Sequence, residues 1–435
     1  MWTADDLDRI GKAEELQIAS RRPDGTVSLL VVGAGQRGRA YARHAVRAGA
    51  GRVVAVAEPD PGRRDRFARD FGVSADRVLG SWAELRGRER LADAAIVATQ
   101  DRDHEEPAVL LAGQGYHLML EKPMAPVEAS AARIAEAVQR AGILFAVCHV
   151  LRYMPYTDVV KGVLDSGRIG RVVSIQHLEP VGWWHHAHSF VRGPWRDTAS
   201  SSPMLLAKSC HDLDWLLYLA GQPARRVSSF GGLSHFRPAE KPAGAAERCL
   251  DCLVEPDCPY SAKRLYFALL ADDPDGWPLS VVTPVATEEA LVAALRTGPY
   301  GRCVYNGDND VVDHQVVTME LADGATVSFT MTAFTPYERR KTRVFGTHGY
   351  LEGDGARLRV VDFRTGAEEV IEVAESTGAG HSGGDRALVD AFLAAVATGD
   401  AGLIRSDAET SLAGHRVVWA AERARLTGTV VRCLS

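Results

Sequence analysis

The hexapeptide Gly33-Ala34-Gly35-Gln36-Arg37-Gly38 constrains this chain more than any other stretch. It follows directly on the apolar run Ser28–Val32 and opens into a helical pattern that reaches about Ala48, so its glycines stand at a strand-to-helix turn. Glycine there permits a tight turn and lets the backbone close on a pyrophosphate. The first turn of the helix adds N–H groups and a partial positive charge. Gly33, Gly35, Gln36, Arg37 and Gly38 are therefore expected cofactor contacts. The next apolar run ends in Glu58, whose carboxylate suits the hydroxyls of an adenosine ribose and repels a 2′-phosphate. NAD is favoured over NADP, although Arg63 and Arg64 nearby would suit the phosphate.

Apolar strands and helices go on alternating to about residue 150. Strands are read at 94–99, 116–123 and 143–150, and helices near Arg63–Phe71 and over 105–113 and 127–141. Near-continuous apolar strands imply a doubly wound parallel sheet with helices on both faces, here an α/β dinucleotide-binding domain over 27–152. Strand ends face the crevice of such a sheet, which makes Thr99, Gln100 and His104 candidate cofactor contacts. Beyond Tyr153 the runs lengthen and alternate, at 171–179, 314–321, 325–334 and within 342–361, before two closing helices at 384–397 and 407–426. Residues 153–435 are thus read as an α+β domain with a large open, mostly antiparallel sheet for substrate binding and oligomerisation. Residues 1–26 read as an added helix. Residues 237–312 read as a Cys-rich insertion with little periodicity, which something other than a core must order.

The chain has 435 residues, more than one ordinary core holds. Its 50 Lys and Arg against 56 Asp and Glu leave a formal charge of −6, which disfavours a nucleic-acid partner. No apolar run approaches the roughly 20 residues that cross a bilayer, and the charged N-terminus does not read as a signal peptide. The expectation is a cytoplasmic protein with no membrane partner. Seven cysteines, an odd number, do not suit a secreted disulfide scaffold.

The glycine loop, Glu58 and above all Glu121-Lys122-Pro123 give the chain, from about 27 to 426, a resemblance to the Gfo/Idh/MocA oxidoreductases. The resemblance implies that Lys122 lies beside the nicotinamide and the substrate hydroxyl, with Glu121 among the cofactor contacts. A residue-level argument agrees, because a lysine at the carboxyl end of a buried parallel strand sits at the crevice, partly desolvated, and its pKa can fall. The family's second motif is a helix with D-x-x-x-H and a later Asp. Here Pro203–Leu216 supplies His211 and Asp214, but Ala207 stands where the first Asp belongs, with Lys208 beside it. Lys208 and His211 are i,i+3 neighbours, and a nearby cation favours a neutral imidazole. His211 is read as acid/base, Lys122 as the group that polarises the reacting oxygen, Lys208 as a second cationic contact and Asp214 as a substrate contact.

Residues 182–196 hold Trp183, Trp184, His185, His188, Arg192 and Trp195, a mixture that suits a sugar pocket, with Arg152 and Tyr153 lining the domain junction. Three histidines there also permit a metal. Cys249, Cys252, Cys258 and Cys303 are read as ligands of a structural zinc; the same sulfurs would serve an iron–sulfur cluster, and disulfides or plain thiols stay open. The expected activity is an NAD(P)-dependent dehydrogenase or reductase acting on a CH–OH group of a sugar, cyclitol or sugar derivative, in a homodimer or homotetramer. Two rival readings stand beside it. One is an NAD-dependent glycosidase working by transient oxidation and elimination; the other is a non-catalytic nucleotide sensor, suggested by Ala207.

Overall fold

The computed structural model describes residues 25–274, 276–373 and 383–433. The helix read over 1–26 lies, but for Gly25 and Thr26, outside them. Two compact units divide the chain: one runs to Pro155 and takes back a segment ending at Leu412, while the other begins at Tyr156 and holds everything from Ala413 onward. Among the described residues no helix is long and apolar enough to cross a membrane.

The first unit is built on six parallel strands, β1 (Val27–Val32), β2 (Gly51–Ala57), β3 (Val78–Leu79), β4 (Ala94–Val97), β5 (His117–Leu120) and β6 (Phe145–Val147). They lie in the order β3-β2-β1-β4-β5-β6. The order reverses at β1, so the loops after β1 and β4 flank a crevice at the carboxyl edge of the sheet. β1 is buried along its whole length, as its near-continuous apolar run requires, and its one polar residue, Ser28, bonds Asp93. Strand β3, two residues long, is too short to carry a period and leaves no signal in the sequence.

One wall of this core comes from far along the chain. The helix Gly384–Thr398 places Leu388, Val389, Phe392 and Leu393 on one face, and these pack with Leu29, Ala42, Val53 and Ile96. Its first turn carries buried Asp385, which receives both ends of the Arg37 guanidinium, Nη1 at 2.9 Å and Nη2 at 2.7 Å. No local signal in the sequence marks this return to the first unit.

The second unit holds nine strands: β7 (Val172–Pro180), β8 (Ala224–Gly232), β9 (His314–Leu321), β10 (Thr326–Thr332), β11 (Lys341–Gly346), β12 (Gly349–Gly353), β13 (Arg357–Asp362), β14 (Glu368–Glu372) and β15 (Val431–Arg432). Their order is β14-β13-β12-β11-β7-β10-β9-β8-β15. Only β7 and β10 run parallel; the other pairs are antiparallel. The helix Met204–Ala220 packs against β7 and β10, and its residues are buried nearly all round.

The insertion departs from expectation because it has a core of its own. Helices Ala262–Asp272, Leu279–Val282 and Glu288–Thr297 bring Ala262, Tyr266, Leu279, Leu291 and Leu295 together with Cys249. The buried residues lie on three short helices separated by Pro, Gly and Asp, and the run Leu265–Leu270 is apolar on every side, so no helical period stands out.

Asp385→Ala removes the bidentate partner of Arg37 and should lower the free energy of unfolding by ~1.5–3 kcal/mol. Urea unfolding of the full chain measures this, and an unchanged midpoint and slope would show that the bridge contributes nothing.

Candidate active site

At the carboxyl end of β1 the chain turns through Gly33 at φ 92°, where a Cβ would fall 2.5 Å from the Ala98 carbonyl oxygen. A Cβ on Gly38 would fall 2.0 Å from the Gly33 carbonyl oxygen, so both positions exclude any side chain. Gly35 differs, because a Cβ there would meet nothing within 4 Å. Its open side is where a ligand can approach the main chain. The helix Gln36–Arg47 begins at Gly35 with no side-chain cap and no acid in its first turn, so its N-terminal partial positive charge faces the loop.

Glu58, only 3% exposed, ends β2 as expected. Its Oε2 accepts the Ala34 N–H at 2.8 Å, and its Oε1 accepts the Asp60 N–H at 3.0 Å and Arg63 Nη2 at 2.9 Å. The carboxylate therefore holds the glycine loop itself, with Arg63 lying over it and Arg64 bonded to the Glu58 carbonyl at 2.9 Å. A loop organised by a buried acid, opening a helix and with open space beside Gly35, fits a dinucleotide.

Glu121 and Arg37, both expected at the cofactor, spend their side chains on each other. Glu121 accepts Arg37 Nε at 2.6 Å and the Tyr41 hydroxyl at 2.8 Å through Oε1, and the Lys122 N–H at 2.6 Å through Oε2. Burial alone would raise the Glu121 carboxyl; the charges of Arg37 and Lys122 outweigh it and hold the group below its ordinary value. Behind this loop buried His104 donates from Nδ1 to the Pro123 carbonyl at 2.8 Å. Thr99 closes the preceding turn by donating to the Asp103 carbonyl at 2.9 Å, and Gln100 is exposed.

His149, which the sequence reading passed over, is buried just beyond β6. Burial first, then the cations Arg152 and Lys122, hold its imidazole well below the ordinary histidine value. It is a neutral ring within electrostatic reach of Lys122. The available signal was its place after β6, at the same edge of the sheet as Lys122 after β5. Arg152 and Tyr153 grip a returning segment: Arg152 donates to the Arg405 carbonyl, and the Tyr153 hydroxyl accepts the Arg405 N–H at 2.8 Å. Ser406 gives its proton to the Val147 carbonyl at 2.7 Å and so accepts from Tyr153 at 3.0 Å.

In the second unit the alternation of β7 turns Ile175, His177 and Glu179 inward. Glu179 pairs with Lys208 Nζ at 3.1 Å and with Arg340 Nε at 2.9 Å. Arg340 also binds Asp212, which lies 3.1 Å from His177 Nε2. Burial would raise the Asp212 carboxyl, but Arg340 and His177 together hold it low. The helix has no carboxylate at Ala207, but Glu179 of the neighbouring strand pairs with Lys208, three residues before buried His211. Two polar residues at the inward-facing positions of an alternating strand were the signal for His177 and Glu179. Arg340 had none.

The Trp and His segment divides in two. His185 gives its Nδ1 proton to the Val181 carbonyl at 3.2 Å, which leaves Nε2 as an acceptor. Its ring lies 5.1 Å from Trp277 and 5.4 Å from Tyr337, and Trp184 lies 4.9 Å from Tyr337. Burial, then Lys208, hold His185 well below its ordinary value, so this aromatic group and the Lys208–Glu179 pair form one cluster. Trp183, His188 and Arg192 turn to the insertion. Trp183 Nε1 donates to the Pro259 carbonyl at 3.1 Å, His188 Nδ1 meets the Tyr266 hydroxyl at 2.7 Å, and Arg192 donates to the Arg302 and Tyr260 carbonyls, each at 2.8 Å. Trp195 is half-buried beside Phe190, ring centres 6.4 Å apart. Asp214 is buried against the helix Ala408–Thr427, where a Cβ on Gly414 would lie 3.0 Å from its Oδ1. Among the described residues no three His, Cys, Asp or Glu side chains stand where they could hold a metal ion as they are, so zinc is not shown.

A six-stranded parallel sheet with this loop, acid and lysine, followed by a unit with a broad open sheet, defines a two-domain nucleotide-dependent oxidoreductase. Residues 27–149 match the oxidoreductase family profile with an NAD-binding Rossmann fold, and residues 161–432 match its C-terminal alpha/beta domain; the chain belongs to the Gfo/Idh/MocA family. It is 26% identical over 322 residues to YteT of Bacillus subtilis, which carries an oxidoreductase name, a match covering 69% of this chain and 72% of YteT. It is 31% identical over 207 residues to the inositol 2-dehydrogenase of Streptomyces avermitilis, covering 46% of this chain and 55% of that one. It is 27% identical over 213 residues to the 2,7-anhydro-N-acetylneuraminate hydratase of Escherichia coli, covering 48% and 54%. The chain thus spans about half the length of these last two. Among solved structures, levoglucosan dehydrogenase in complex with NADH superposes with a TM-score of 0.69 at 16% identity, covering 94% of this chain and all of that one, which shows the fold.

The buried histidines set an acid limit on stability. Burial pulls His188 down to about 3, with Arg192 adding to the effect. Unfolded histidine titrates near ~6.5, so below that pH the unfolded chain binds more protons and stability falls as the solution is acidified. Unfolding free energies measured from pH 6.5 to 4 should decline less steeply in His188→Gln, by up to ~1.4 kcal/mol per pH unit, the share of one proton. Identical slopes would exclude a buried neutral His188.

Proposed function

We propose that the chain is an NAD-dependent dehydrogenase or reductase that works on a CH–OH group of a sugar, cyclitol or sugar derivative. One observation carries the reading: Lys122 stands at the carboxyl edge of the parallel sheet on a loop braced by Glu121 and Arg37, the latter from the glycine loop itself. Bound NAD supplies the hydride acceptor. The start of the helix Gln36–Arg47 would hold its pyrophosphate, and Glu58 would hold its adenosine ribose. Lys122 polarises the reacting oxygen and stabilises the charge that develops there as the carbinol becomes a carbonyl. His211 takes the hydroxyl proton, and Lys208, kept neutral overall by Glu179, contacts a substrate hydroxyl. His185, with Nε2 ready to accept, and Trp184 serve the same purpose through a hydrogen bond and an apolar face.

The inositol dehydrogenases and levoglucosan dehydrogenase among the similar proteins support this substrate class. The hydratases support a second reading, in which the hydride returns to the product and net chemistry is redox-neutral, as in the glycosidase alternative. The exposed outer face of the second sheet, with Val173, Phe230 and Val316, supports a homo-oligomer.

A panel of inositols, aldoses and anhydro sugars incubated with NAD tests the reading through absorbance of the reduced nicotinamide. We expect reduction with at least one class and a fall of ~10²–10⁴ in kcat/KM for Lys122→Ala, with NAD binding retained. Product without reduced nicotinamide would favour the redox-neutral reading, and full activity in Lys122→Ala would contradict both.

A further inference from the structure

Four of the seven cysteines converge within the insertion. Cys249 and Cys252 bracket one short helical turn, and Cys258 caps the next, Glu255–Asp257. Cys303 arrives from the other end of the insertion. An antiparallel bridge between Arg248 and Arg302 sets it alongside Cys249, and its N–H donates to the Glu247 carbonyl at 2.9 Å. All four line a single cavity of about 20 Å³ and none is in a disulfide. That is room for one water or one ion.

The polar groups around this cavity suit sulfur anions. The Tyr260 and Tyr305 N–H groups, each two residues past a cysteine, donate to the sulfurs of Cys258 and Cys303. Buried Arg192 reaches the Cys249 sulfur with Nη2 at 3.5 Å. Three N–H donors aimed at thiols that carry their own protons make a poor match. A bound dication reverses that balance and makes every sulfur an acceptor.

We propose that Cys249, Cys252, Cys258 and Cys303 are the four thiolate ligands of a structural zinc ion that pins the two ends of the insertion together. Binding releases four thiol protons to solvent and forms four Zn–S bonds of ~2.3 Å. The site then carries a charge of about −2, which Arg192 partly offsets. The side chains as they stand do not present three ligands to one point. The proposal therefore requires the four cysteines, which border the same cavity, to turn about their χ1 bonds when the ion binds. The cavity volume favours one ion over a cluster of iron and sulfide, which needs several times the space. The proposal does not rest on the oxidoreductase reading and survives or fails separately from it.

Metal analysis of the full chain, purified without chelator, tests it together with zinc titration of the chelator-stripped protein. We expect about one zinc per chain, a loss of tenfold or more in zinc content in Cys252→Ser and in Cys258→Ser, and no loss in Cys433→Ser. A chelator should lower the melting temperature of the native chain and leave that of Cys252→Ser where it was. Should the serine variants fail to fold, the titration of the native sequence decides alone. No metal on purification with no uptake of added zinc overturns the proposal, as does iron with acid-labile sulfide, or full zinc content in Cys252→Ser.

Discussion

The ion cluster of Arg37, Glu121 and Asp385 is the interaction on which the cofactor half of the molecule depends. It joins three segments far apart in the sequence, the start of the glycine-loop helix, the loop after β5 and the helix that returns near the end of the chain. Each acid is almost wholly buried, so neither would be tolerated as an anion without the guanidinium between them. Glu121 in turn accepts the main-chain N–H of Lys122, which fixes the direction in which the lysine leaves the sheet. Arg37 and Glu121 thus act through other groups: they position the loop on which the proposed chemistry rests, at no cost of reorganisation when a ligand arrives.

A comparable economy governs the second unit. Lys208, Glu179, Arg340 and Asp212 alternate in sign along one chain of contacts, so that no buried charge stands alone. On the helix that lacks the expected acid at position 207, the neighbouring Lys208 is paired by a carboxylate from the adjacent strand. The arrangement also sets His185, depressed by burial and by Lys208, as a neutral acceptor among Trp184, Trp277 and Tyr337.

The glycine loop, Glu58 and the lysine after β5 were legible because each is a local pattern with a local physical cause: a turn that excludes Cβ atoms, or the polar end of an apolar strand. The parallel and open sheets were legible from strand period. What sequence could not display is pairing at long range. Arg37 in a glycine motif reads as a cofactor contact, while in the structure Asp385 and Glu121 take its guanidinium. His188 and Arg192 read as sugar contacts by composition, yet their polar atoms meet Tyr266, Tyr260 and Arg302 of the insertion. The core of that insertion escaped for the same reason, since Tyr266, Leu279 and Leu291 lie on three short helices, none of which shows a period alone.

The central claim is that the first unit presents a preformed NAD site, built by Glu58 and the glycines and held to Lys122 by the buried ion cluster. Calorimetric titration of the full chain with NAD addresses it most directly. Saturable heat at one NAD per chain, with affinity reduced about tenfold or more in Glu121→Gln, a loss of ~1.4 kcal/mol, is the expected result. Absence of any saturable binding to the unaltered chain would contradict it.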